Sequence, residues 1–178
     1  MIEALHLGSM LPATLGACCV AGSADRRSPL AWAGMVLMLA GMADRMLLPA
    51  PVLPALVWAT ALVGIALLTG LGARIGSRAT ARAGGTATSA GGSHMAVHRA
   101  CQALLMAGLL LASAGHGVAA PAGGHAGHAV LMPLLAAGAA GFAGFSAWLA
   151  FRRGALPQRG EAALGGLAVT AMAAATLI

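Results

Sequence analysis

AVLMPLLAAGAAGFAGFSAWLAF, at positions 129–151, carries no formal charge and stops at Arg152 and Arg153. A helix crosses the hydrocarbon core of a bilayer with about 20 apolar residues, each rising 1.5 Å. A water-soluble helix of this length would show a polar stripe on its outer face, and this one has none. Short cytoplasmic loops accumulate arginine and lysine, so the arginine pair marks the cytoplasmic end of the span. One segment thus sets both the solvent and the orientation for the rest of the chain.

The composition agrees. Of 178 residues, 60% are hydrophobic and 8% charged, against about 25% charged in soluble domains. Mean hydropathy is +0.88. These values describe an integral membrane protein with no sizeable soluble domain. The net charge of +6 comes from ten arginines set against four acids, with no lysine. Those arginines sit in short loops, where topology accounts for them, so no nucleic-acid partner is expected. Cys18, Cys19 and Cys101 lie in apolar runs and read as free thiols acting as small hydrophobes.

Working outward from 129–151, apolar spans are expected at about 4–22, 30–46, 52–71, 94–114 and 162–178. The expected fold class is all-α: a polytopic membrane bundle of about six transmembrane helices forming one domain. The first segment has no basic residue before its apolar core, so it reads as a retained helix and not a cleaved signal. Pro29 is suited to the first turn of the second helix. The stretch 72–93 holds Arg74, Arg78 and Arg82 with no acid and reads as a flexible cytoplasmic loop. Residues 115–128 form a Gly/Ala/His loop on the opposite side. With Arg152 and Arg153 inside, nine of the ten arginines fall on the cytoplasmic face and only Arg45 lies outside. Both termini are then expected to face outward from a bacterial cytoplasmic (inner) membrane.

Two groups of residues point to chemistry. Met35, Met38, Met42 and Met46 follow at steps of three, four and four, which places them on one side of the second helix. Thioethers are soft ligands suited to Cu(I), and also flexible core filler. His116, His125 and His128 share the outer loop, and the spacing of the last two suits a metal. His6 and Asp44 are expected at the same face, so these nine residues form a candidate copper site. At the other face, His94 and His98 open the fourth helix and read as interfacial histidines, with Arg99 snorkelling toward lipid headgroups. No span carries a mid-membrane carboxylate, and no nucleophile has a recognisable base, so an enzyme is not expected.

The pattern Met35-x-x-Met38-x-x-x-Met42, with Ser93-His94-Met95-Ala96 and His98, resembles small polytopic inner-membrane proteins of actinobacteria. Those families have helices that open with His and carry Met at helical spacing. The resemblance implies a membrane location and little more. Small residues recur at Gly64, Gly108, Gly138, Gly141, Gly144, Gly165 and Gly166, which favours close helix packing. The function expected from the sequence is a non-catalytic structural or accessory subunit. Its partners would be membrane lipids together with a larger membrane complex or further copies of the chain. The alternative is a copper-handling protein with an outward His/Met site.

Overall fold

The computed structural model describes residues 2–48, 50–82, 90–115, 125–152 and 154–177. These residues form six α-helices and one 3-10 turn, with no strand among them. The helices are α1 (Ile2–Ala21), α2 (Pro29–Met46), α3 (Ala55–Arg82), α4 (Ala90–Gly115), α5 (His125–Phe151) and α6 (Leu156–Leu177), and the 3-10 turn is Ala24–Arg27. Among the described residues, three segments are long and apolar enough to cross a membrane: Ala55–Ala79, Gly92–Ala114 and Val130–Phe151.

Local signals explain several boundaries. The Ser23 hydroxyl accepts from the Asp25 amide and opens the 3-10 turn, and the Ser28 hydroxyl accepts from the Ala31 amide at the head of α2. Pro29 occupies the first position of α2, where its missing N–H costs nothing. At the other end of α2, Asp44 ties the helix to the next one. Its carboxylate accepts from the Val52 amide (2.7 Å), the Leu53 amide (3.3 Å) and Trp58 Nε1 (2.7 Å). The Trp58 ring rests on Gly41, where a Cβ would lie 3.4 Å from it.

Helices α3, α4 and α5 are longer than the apolar spans alone indicate. Residues 72–82, expected in a flexible loop, continue α3, and α4 begins at Ala90. The apolar run nucleates the helix, and Ala and Arg, both good helix formers, then propagate it at one hydrogen bond per residue. By the same logic α5 begins at His125, so His125 and His128 lie in its first turns and not in a loop. Helix α6 begins at Leu156, six residues ahead of the expected start, which brings Glu161 inside the helix.

Helix α3 packs along α4, α1 along α6, and α5 along α6, with α4 also touching α2, α5 and α6. The core contains Met35, Met38 and Met42 of α2, Leu62 of α3, and Met106, Leu109 and Leu110 of α4. Val169 and Met172 of α6 complete it. The methionine stripe is therefore core: Met42 is fully buried and Met35 and Met38 nearly so, while Met46 packs against the edge. An unbranched thioether fills the irregular space between helices that approach at different angles.

Candidate functional site

Polar side chains within apolar helices turn inward and find partners, because hydrocarbon offers none. Helix α4 carries three together: His98, Arg99 and Gln102. Glycines on α6 let them sit close to that helix. A Cβ at Gly165 would lie 2.9 Å from Gln102 Oε1 and 3.1 Å from His98 Cε1, and one at Gly166 would lie 2.7 Å from Ser146 Cβ. Only a residue without a side chain fits there.

The centre of the group is an arginine held by two carboxylates. Arg99 Nε donates to Glu161 Oε1 at 2.6 Å and Nη2 to Oε2 at 2.8 Å. Its Nη1 lies 3.1 Å from Asp25 Oδ2. The planar guanidinium thus makes a fork-to-fork pair with one acid and uses its remaining nitrogen on another. Glu161 is fully buried, the Arg99 side chain is 13% exposed, and Asp25 is 31% exposed at the mouth. The cluster joins α4, α6 and the 3-10 turn. Beside it, Arg159 Nε donates to the Ala150 carbonyl at 2.6 Å and fixes the start of α6 to the end of α5.

His98 lies deeper. Its Nε2 is 3.0 Å from Ser146 Oγ on α5, and its ring packs on Phe142 at 4.7 Å between centroids. Its Nδ1 has the Ala162 peptide beside it but makes no hydrogen bond of good geometry. Ser146 is 2% exposed and covered by Gly166, so in this conformation its hydroxyl clamps two helices and is not presented to a substrate. Gln102 Nε2 reaches Met38 Sδ at 3.4 Å. This hydrogen bond draws one methionine of the stripe into the polar group.

These positions correct the expected interfacial roles. His98 does not face headgroups, and Arg99 does not snorkel to them. Both point into the bundle, because acceptors on α5, α6 and the 3-10 turn are within reach. Glu161, expected outside the last helix, is a buried carboxylate near the start of α6. The signal for that pair was present in the sequence: Arg99 stands inside an apolar helix, and Glu161 is the only acid after Asp44.

Among the described side chains, the candidate copper ligands are divided between the α2–α3 turn and the core. Asp44 is engaged by three donors at the α2–α3 turn, and Met35, Met38 and Met42 are core. His116 lies outside the described residues. For His6, His125 and His128 the structure describes the helical backbone alone. Among the described residues, no group of three or more His, Cys, Asp or Glu side chains is arranged to hold a metal ion.

Two grooves flank α5. One, of about 500 Å3, lies between α4 and α5 and is floored by Cys101, Leu105, Phe142 and Phe145. The other, of about 310 Å3, lies between α5 and α6 along Ala143, Ala147, Ala150 and Ala163. No family model, curated protein or solved structure matches this chain.

Proposed function

We propose that this chain is a non-catalytic integral membrane protein, an accessory subunit that docks a helix of a larger membrane complex. The observation that carries this reading is the groove between α5 and α6. Its walls are mostly small residues, four alanines with Gly166, Ser146 and Thr170, and exposed Phe151 and Leu167 complete the lining. Without a hydrophobic driving force between helices in lipid, association depends on close backbone approach, which such small residues permit. The interior supports the reading as well. Arg99, Glu161, His98 and Gln102 are spent on holding helices together, which suits a rigid packing element better than a moving carrier.

The proposed setting is the bacterial cytoplasmic membrane, with six crossings and both termini outside. The distribution of arginines supports that orientation, and so does the meeting of Asp25, Arg99 and Glu161 at one end of the bundle.

Purification from its native membrane in a mild detergent tests the role, with the wild type beside Ala147→Trp. Residue 147 is exposed on the groove, so the indole fills the groove without entering the core. A partner recovered at fixed stoichiometry with the wild type, and lost with Ala147→Trp, is the expected result. A wild-type chain that runs alone, or a partner retained equally by both, would overturn the proposal.

A further inference from the structure

The second groove, between α4 and α5, has a different character. It runs from Val97 to Leu105 on α4 and from Gly138 to Phe145 on α5, about 12 Å at 1.5 Å per residue. Gly141 opens it, with nothing within 4 Å of where a Cβ would stand. Its volume of about 500 Å3 is roughly half that of an equal length of helix, about 1000 Å3 for a cylinder 10–12 Å across. A flexible hydrocarbon chain fits such a space better than a helix does.

At one end the groove meets a short aromatic column that finishes in a cation. The Phe145 ring, part of the floor, stacks on Trp148 at 5.8 Å between centroids, and Arg152 Cζ lies 4.2 Å over the Trp148 ring. The His94 ring meets the same indole edge-on at 5.6 Å. The three tryptophans differ in how they use their N–H groups. Trp32 donates to the Arg26 carbonyl and Trp58 to Asp44, whereas Trp148 has no hydrogen-bond partner among the described residues. Arg152 likewise has no carboxylate within ion-pairing distance among them. Among the described residues, an apolar slot therefore leads to an indole N–H and a guanidinium with no acceptor, beside the His94 ring.

We infer that the α4–α5 groove binds one anionic phospholipid, an acyl chain along Gly141 and Phe145 and the phosphate at Arg152, Trp148 and His94. Arginine and tryptophan at the end of a span lie at headgroup depth, and basic pockets between helices on the cytoplasmic side take anionic headgroups. The inference rests on the membrane reading above but not on the accessory role, which involves the other groove.

Native mass spectrometry of the full chain released from detergent micelles tests it. The probes are phosphatidylglycerol and phosphatidylcholine with identical acyl chains, and glycerol 3-phosphate as the free headgroup. The wild type should retain one phosphatidylglycerol per chain at about ten times the occupancy of phosphatidylcholine. Arg152→Gln should bring the two lipids to within about twofold of each other. Gly141→Leu, which fills the slot, should remove retention of both, and glycerol 3-phosphate should not compete. Equal retention of the two lipids by the wild type would overturn the inference. Unchanged preference in Arg152→Gln, unchanged retention in Gly141→Leu, or competition by glycerol 3-phosphate would do so too. Loss of the α5–α6 partner leaves all these readouts untouched, so failure of one proposal is distinguishable from failure of the other.

Discussion

Replacing Glu161 by Gln removes the charge that holds Arg99 while keeping the shape. Glu161 is fully buried and Arg99 nearly so, and they share two short hydrogen bonds. Breaking one side of a buried ion pair costs about 3–5 kcal/mol, because the remaining charge is left without compensation. Asp25 still reaches Arg99 at 3.1 Å from the mouth of the cluster, so the expected cost lies at the lower edge, about 3 kcal/mol. With 2–4 °C per kcal/mol for a chain of this size, the helical unfolding transition should fall by about 6–12 °C. Circular dichroism in mixed micelles, under conditions where the transition is shown to reverse on cooling, reads this directly. Arg99→Met combined with Glu161→Met should recover most of the loss, because replacing both members with apolar groups is commonly neutral or stabilising. Asp25→Asn, at a partly solvated position, should cost under about 1 kcal/mol. A Glu161→Gln transition within 2 °C of the wild type would refute the reasoning. So would a double variant whose loss equals the sum of the two singles, because coupled neighbours must depart from additivity.

Three further outcomes follow from the α2 helix. Asp44→Ala should release the turn to α3, lowering the melting temperature and shifting Trp58 emission to the blue as its indole N–H loses a charged acceptor; an unchanged spectrum would remove the latch role. The purified chain, reconstituted with Cu(I), should hold no copper through the methionine stripe, and Met42→Leu, at a fully buried position, should cost less than about 1.5 kcal/mol as a near volume-conserving change. Copper near one per chain, lost in a His116/His125/His128→Ala variant, would replace this expectation with the metal-handling reading.

The long apolar helices are legible in the sequence because membrane insertion is written into composition. A run such as 129–151 has few alternatives. The helix ends are less so. Residues 72–82 look unable to order themselves when judged by the apolar surface they can bury, but a helix already nucleated upstream needs only propensity to continue. The same difference of a turn or two decides the polar cluster. An apolar window starting at Ala162 leaves Glu161 outside as a loop acid, whereas a helix starting at Leu156 puts it in the core opposite Arg99. His98–Ser146 is legible in neither residue alone, since it depends on which faces of α4 and α5 meet. Asp44 is the opposite case: its place at a helix end is readable, but its occupation by three donors depends on the path of the chain after Met46.

The charge cluster also bears on the proposed crossings. Asp25 follows α1, Arg99 lies near the start of α4 and Glu161 near the start of α6, and all three meet. For Asp25 and Arg99 to share one end, α2 and α3 must go out and return across the same thickness. For Arg99 and Glu161 to do so, α4 and α5 must do the same. Helices α3, α4 and α5 are each long and apolar enough to cross, and in the proposed arrangement α2 would match α3, although it has only 18 residues. At 1.5 Å per residue that is about 27 Å, close to the thickness of a hydrocarbon core. The Asp44 latch to Val52 and Trp58 makes up part of the remainder, because it draws the turn at 47–54 down onto the end of the helix. Arg45, beside it in the last turn of α2, is long enough to carry its charge to the headgroups from there. The proposed six crossings would thus need a short second span with one outward arginine, and the ion cluster and the latch are compatible with it.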